Sequence, residues 1–336
     1  MSTSEGKGKG QAVIFQTGPA TPEGVDVLYQ KYLGRTADAE AQDAIKARAM
    51  SLKDVEEMIF ASPEFFKRAT PTMHPQRGDY DGAIIALWPA KVLFCPIAKV
   101  ANTAIKDWAL RLVGDGQPEP GDSHYWLDSG QNKMQVRHMP LAGFDQLSRD
   151  KDWASVAVIR NPIDRLVSSY CDKFGRNRHF PSVLQHTLPV YTFLNGGEKP
   201  SAAFIDEGIS FRQFCFFLSC AQQETLDPHW TPQWNYLRNH SWDRLFSLDK
   251  IEEFEVFILD RLPANLRDER LEVSNAAPIV EQTVESDLSM SLPVEWGRNS
   301  VRNPPYDTFL TDDICRFIKD YYALDFQLYA LAQTSG

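Results

Sequence analysis

"KVLFCPIAKVANTAIKDWALRL", Lys91 to Leu112, is the stretch that decides the fold. It opens as a buried strand, with Val92, Leu93 and Phe94 in a row, and closes as a helix. The turn between them carries Lys99, followed by the small residues Ala101, Asn102, Thr103 and Ala104. A strand, a turn with a lysine and then a helix start is how a chain presents backbone N–H groups to a phosphate. The paired glycines and the Gly-Lys-Ser/Thr ending of a nucleoside-triphosphate loop are absent.

A second stretch repeats the design. In "VAVIRNPIDRLVSSYCDKF", Val156 to Phe174, an apolar strand ends at Arg160, and Pro162 falls where a first helical turn tolerates proline. Arg165, Ser168, Ser169 and Lys173 follow. An arginine leaving a strand and a serine two helical turns later can converge on one phosphate, by bidentate contact and a neutral donor. The competing reading is a solvated loop lysine and an ordinary helix start, with Arg165 paired to Asp172 or another surface acid.

Composition narrows the classes. The 336 residues carry a net charge of -10, so no general basic surface awaits nucleic acid or anionic lipid. An anion must be held by a local pocket. The five cysteines, Cys95, Cys171, Cys215, Cys220 and Cys315, form neither a disulfide framework nor a zinc spacing. Cys215 and Cys220, around Phe216, Phe217 and Leu218, read as buried thiols of an apolar helix. No window is a signal peptide or a membrane span, which reads as cytoplasmic.

Along the chain, residues 1–20 are small, polar and Gly/Lys-rich, a mobile arm. Residues 21–69 carry apolar positions at helical spacing (Val25, Leu28, Tyr29, Tyr32, Val55, Met58, Ile59), with Ser51 and Ser62 as caps. This small all-α module resembles a short bacterial helical domain of unknown function, through Leu28-Tyr29, Leu33-Gly34-Arg35, Asp38 and Ser62-Pro63-Glu64-Phe65. A packing or docking role is the simplest reading. Residues 70–84 are a Pro/Gly/polar linker, and residues 85–336 alternate strand and helix text as one α/β domain.

Taken together, the two anion-binding stretches resemble the carbohydrate sulfotransferases. "CPIAKVANTAIKDW" looks like their motif for the 5′-phosphosulfate of 3′-phosphoadenylyl sulfate (PAPS). "VIRNPIDRLVSSYCDKF" resembles their 3′-phosphate motif at Arg160, Pro162, Arg165, Leu166, Val167, Ser168, Tyr170, Lys173 and Phe174. The branch most like it is the Golgi group acting on chondroitin, dermatan and the HNK-1 glycan. "HWTPQWNYL" (His229–Leu237), "WDRLFSLDKIEEFEVFI" and "LTDDICRFIKDYYALDFQLYAL", with Tyr322, Asp325 and Phe326, continue the likeness in order, over residues 90–332. Asn161 replaces the family's aspartate, and the cysteines near the His-Trp segment and the membrane anchor are missing. Those losses fit a cytosolic bacterial relative and leave the acceptor glycan open.

The resemblance implies a P-loop-like sulfotransferase fold, a mostly parallel sheet flanked by helices. It implies in-line transfer of a sulfuryl group from PAPS to a carbohydrate hydroxyl, without a metal. The N–H groups of Val100, Ala101, Asn102, Thr103 and Ala104, with the Thr103 hydroxyl, would bind the 5′-phosphate. Lys99 would neutralise the bridging oxygen, and Arg160 and Ser168 would clip the 3′-phosphate. His138, between the two motifs, is the candidate base, a histidine suiting that role near neutral pH; His124 and His229 are rivals. Arg298 and Arg302 sit in a late basic loop of the kind that closes the cofactor site and are candidates for the 3′-phosphate or an anionic acceptor, against a solvated loop. Trp126, Trp230, Trp234 and Trp296 are candidates for stacking on a sugar, against a core role. A homodimer is an expectation of the resemblance alone.

Two other classes remain. A P-loop-like kinase needs a Mg-ligating Ser/Thr after the loop lysine and an acid on the second strand, where this chain has Val100 and Arg160. A non-catalytic module binding sulfated or phosphorylated ligands needs no turnover, which separates it from an enzyme.

Overall fold

The computed structural model describes residues 19–33, 35–60, 79–113, 127, 134–223, 226–272, 287–296 and 303–334. Nearly all of the arm, most of the linker, and Ser62, His124, Trp126, Arg298 and Arg302 lie outside the described residues. The chain divides into two compact units, residues 1–70 and 71–336.

In the first unit the helices Pro22–Leu33, Ala39–Ala47 and Leu52–Phe60 bury Val25, Tyr29, Leu33, Ile45, Val55 and Ile59. Ser51 starts the third helix with a reciprocal cap: its Oγ accepts from Asp54 N (3.2 Å), and the Asp54 carboxylate accepts from Ser51 N (2.8 Å). Asp38 caps the second helix by accepting from Ala41 N.

The second unit is built on a four-stranded sheet in the order β1-β2-β3-β4: Ile85–Leu87, Val92–Cys95, Ala154–Ile159 and Arg244–Ser247. β2, β3 and β4 run parallel, and β1 is an antiparallel edge, with Ile85 opposite Phe94. Every residue of β1 and β2 is buried, which is why these strands read as unbroken apolar runs rather than alternations. Gln135 bridges to Ile85 beyond β1. Asp79–Gly82, within the stretch read as linker, forms one helical turn.

A large aromatic core packs on the helices that follow β3. Trp230 lies inside it, 2% exposed, with Phe174 and Phe214 at ring-centroid distances of 5.7 and 5.5 Å. It therefore offers no face to a sugar. Trp296 packs on Phe309 and against Gly175, where a Cβ would come within 2.7 Å of its ring. Cys215 is buried as expected but Cys220 is exposed. Five residues at about 100° each place the two thiols about 140° apart around the helix Phe211–Cys220. Among the described residues no helix is long and apolar enough to cross a membrane.

The closing helix is in fact two, Asp312–Tyr321 and Ala323–Thr334. They break at Tyr322, whose hydroxyl donates to Trp230 O (2.6 Å). One turn later the fully buried Asp325 accepts from Gln233 N (2.7 Å) and Trp234 N (2.9 Å). Burial pushes its carboxyl up to about 6, against the opposing pull of Arg165 and these N–H groups.

Removing the Asp325 carboxylate orphans two buried N–H groups, so Asp325→Ala should lower the unfolding free energy by about 3 kcal/mol in urea titrations. Its folded pKa lies above the ordinary carboxylate value, so the folded chain binds the extra proton in between. The stability this group lends is present at low pH and is lost as pH rises from about 4 through about 6. The stability difference between wild type and Asp325→Asn should therefore fall across that window.

Candidate active site

The parallel pair β2 and β3 ends along one edge of the sheet, and both candidate anion cradles grow from it. After Cys95 the chain turns through Ile97, Ala98 and Lys99 into the helix Asn102–Val113. The first N–H groups of a helix have no intrahelical partner, so a helix start can offer donors to an anion. Of the predicted cradle members, Val100 has its N–H engaged in the turn, donating to Ile97 O (3.3 Å). No glycine bends this loop. Lys99 (φ 68) and Ala101 (φ 47) take the left-handed conformation themselves, a strained backbone of the kind kept at functional turns.

Lys99 Nζ reaches Asp172 Oδ2 at 3.0 Å, and Lys173 Nζ stands 3.7 Å from the same oxygen. Asn177 Nδ2 donates to Asp172 Oδ1 (2.6 Å). Burial alone would raise the Asp172 carboxyl, but the charges of Lys99 and Lys173 and the hydrogen bonds outweigh it and hold it below the usual carboxylate range. Burial lowers the Lys99 ammonium from its ordinary value, partly offset by Asp172. Asp172 and Lys173 sit where the helix Pro162–Tyr170 widens into a π-helical segment, Cys171–Arg176, a distortion frequent at functional sites.

Arg160 leaves β3 beside this loop. Its Nη1 donates to Lys99 O (3.0 Å), and its guanidinium lies 5.9 Å from the Tyr306 ring centroid. Its backbone is clamped from both sides by one side chain: Gln233 Oε1 accepts from Arg160 N (3.0 Å) and Gln233 Nε2 donates to Arg160 O (2.9 Å). Ser168 is buried two turns along the helix that Arg160 precedes, and Asn161 caps that helix by accepting from Ile163 N. Arg165 does not pair with Asp172. It is 2% exposed and donates to Ala98 O (2.9 Å), Thr231 O (2.7 Å) and Pro228 O (3.0 Å).

His138 ends a short 3-10 turn, Val136–His138. Val136 N donates to Ile84 O and Arg137 Nε to Gly82 O, so this segment runs parallel to β2 and emerges at the same edge of the sheet as Lys99. Two strand spacings separate it from β2, about 10 Å. The buried atoms His138 Nε2 and Asn102 Oδ1 have no hydrogen-bond partner among the described residues; buried polar groups of this kind are completed by water, an ion or a ligand. His229 lies on the loop before Trp230, with Nδ1 2.6 Å from Asp227 Oδ1 and close enough to Lys173 for that charge to act on it.

A family model described as Sulfotransferase family matches residues 88–332. The chain belongs to the sulfotransferase family. No curated protein and no solved structure matches it.

Three residues that position this sulfotransferase's candidate site carry no local sequence signal for that role: Asp172, Gln233 and Asp325. Gln233 and Asp325 were visible only as parts of the "HWTPQ" and "YALDF" segments; their contact with each other, and through Gln233 with Arg160, comes from the fold.

If Gln233 holds Arg160 in place, Gln233→Ala should weaken whatever affinity the site has for 3′-phosphoadenosine 5′-phosphate (PAP) by about tenfold in calorimetry, the worth of one good hydrogen bond. The circular dichroism spectrum should be unchanged. Unaltered affinity would mean that Arg160 is held without it.

Proposed function

We propose that this sulfotransferase moves a sulfuryl group from PAPS to a hydroxyl of a carbohydrate, releasing PAP. The observation that carries the reading is the pair of cradles at the ends of adjacent parallel strands, with Arg160 of one donating to the Lys99 carbonyl of the other. One cradle combines helix-start N–H groups with an ammonium, and the other combines a guanidinium with a buried serine. A donor phosphorylated at both ends of its nucleoside needs such a divided site. The residues fit it: donors and cations dominate, and Asp172, the carboxylate paired with Lys99, is also held by Lys173 and Asn177.

PAPS supplies an activated sulfuryl group whose in-line departure leaves negative charge on the bridging oxygen. The backbone N–H groups of Ala101 to Ala104 orient the 5′ end at the positive pole of the helix. Lys99, held by Asp172 within reach of the loop, stabilises the developing charge. Arg160 and Ser168 hold the 3′-phosphate, with Arg298 and Arg302 as further contacts from the late loop. His138 takes the acceptor proton through its unpartnered Nε2. Kinase chemistry fits less well, because Val100 stands where a Mg-ligating hydroxyl is needed and the second strand ends in Arg160. The carbohydrate class rests on the resemblance to the Golgi branch, as does a cytoplasmic, bacterial setting in polysaccharide sulfation.

Calorimetric titration with PAP, AMP, ADP and ATP tests the donor: PAP should bind at low-micromolar level and far more tightly than the others. Arg160→Ala should weaken PAP by about 10- to 100-fold. Lys99→Ala and His138→Ala should leave PAP binding within a few-fold while lowering transfer to a glycan acceptor by about 100-fold or more. ATP binding in place of PAP would return the kinase reading, and PAP binding without turnover across a saccharide panel would favour a binding module.

A further inference from the structure

His186 on the helix Pro181–Leu194 meets Asp227 and His229 on the loop before Trp230. Their potential ligand atoms all lie within 4.8 Å of one another. His186 Nδ1 is 2.6 Å from Asp227 Oδ2, and His229 Nδ1 is 2.6 Å from Asp227 Oδ1. The two rings meet edge to face, with centroids 4.6 Å apart. We propose that His186, Asp227 and His229 form a binding site for one divalent transition-metal ion of the zinc class, its remaining positions open to water. This inference stands apart from the sulfuryl-transfer reading and does not depend on it.

Direction is the first argument. A ring nitrogen's N–H, when protonated, points where its lone pair points when metallated. Two imidazoles whose Nδ1 atoms contact the two oxygens of one carboxylate converge on that carboxylate. Zinc bonds of about 2.0–2.2 Å in tetrahedral array set ligand atoms about 3.4 Å apart, so the two short contacts open by under about 1 Å and any separation near the 4.8 Å bound closes by about 1.4 Å. That is within the reach of side chains on a helix and a loop. Two nitrogens and one carboxylate oxygen suit Zn2+, Co2+ or Ni2+ and not Mg2+ or Ca2+.

The surroundings are the second argument. Neutral imidazole and ionised carboxylate are the ligating forms. Among the described residues no Lys or Arg forms an ion pair with Asp227, whose ion-pair contacts are the two histidines. Lys173 is the cation whose field reaches His229, and its charge opposes a bound cation. Gln185 Nε2 lies 3.3 Å from His186 Nε2. With the amide turned to present its oxygen, Gln185 would accept from that nitrogen once Nδ1 carries the metal. Bound there, the ion would tie the helix Pro181–Leu194 to the loop that ends in Gln233, the residue that clamps Arg160.

The test titrates the chelator-treated full chain with ZnCl2 by calorimetry near neutral pH and with CoCl2 by visible absorption, and measures PAP binding in parallel. One equivalent of Zn2+ should bind in the micromolar range, and Co2+ should develop the intense d–d bands of a site with fewer than six ligands. His186→Ala and Asp227→Asn should each weaken Zn2+ by at least about tenfold, whereas the exposed His179→Ala should not. Absence of saturable Zn2+ binding, or unchanged affinity in His186→Ala, overturns the site. Should the variants fail to fold, a Co2+ spectrum of the unaltered chain that stays that of the aquo ion overturns it as well. PAP binding without Zn2+ binding defeats this inference alone, and Zn2+ binding without PAP binding defeats the transfer reading alone.

Discussion

The buried guanidinium of Arg165 holds the two halves of the candidate site together. Its donors are spread over three carbonyls from two segments: Ala98 in the loop that carries Lys99, and Pro228 and Thr231 in the loop that leads to Gln233. A buried charge is costly unless its donors are met. Here three backbone carbonyls accept those donors, the Tyr236 ring lies 6.0 Å away, and the Asp325 carboxyl is within the field of the charge. A lysine has neither the planar fork nor enough reach to bridge three carbonyls in two directions. The spacing between these loops therefore depends on one side chain.

A second tie runs in series with it. Asp325 fastens the N–H groups of Gln233 and Trp234, and Gln233 in turn grips Arg160 at both backbone atoms. The closing helix thus reaches the cationic clip through two side chains and no ligand. Much of the resemblance to known sulfotransferases lies in residues of this kind, which hold the groups that would touch a donor. Such preorganisation is what electrostatic catalysis requires, because donors fixed in advance need no reorganisation as charge develops.

These ties also explain how a loop without glycine keeps two left-handed residues. Lys99 and Ala101 each carry strain of about 1–2 kcal/mol. Ala98 O and Lys99 O are held by Arg165 and Arg160, and Lys99 Nζ is held by Asp172. With its flanking carbonyls and its side chain anchored, the turn has no cheap way to relax. The same anchoring aims the helix Asn102–Val113 at the site.

Local patterns in the chain were sufficient for the elements. Unbroken apolar runs marked β2 and β3, Pro162 marked a helix start, and Ser51 with Asp54 marked a cap, because each is set by contacts between near neighbours. The order of the motifs was sufficient for the family. β1 was not legible, since three buried residues at an edge look like any short apolar run. Cys220 was misread because helical phase, and not composition, decides which thiol faces solvent. What only tertiary structure decided is which distant side chains meet: Lys99 with Asp172, Gln233 with both Arg160 and Asp325, and His186 with Asp227 and His229. Each pairing joins segments separated by dozens of residues, and such a contact imposes no period on either segment. Its partners become identifiable only when the sheet and the aromatic core have brought them within a few ångströms.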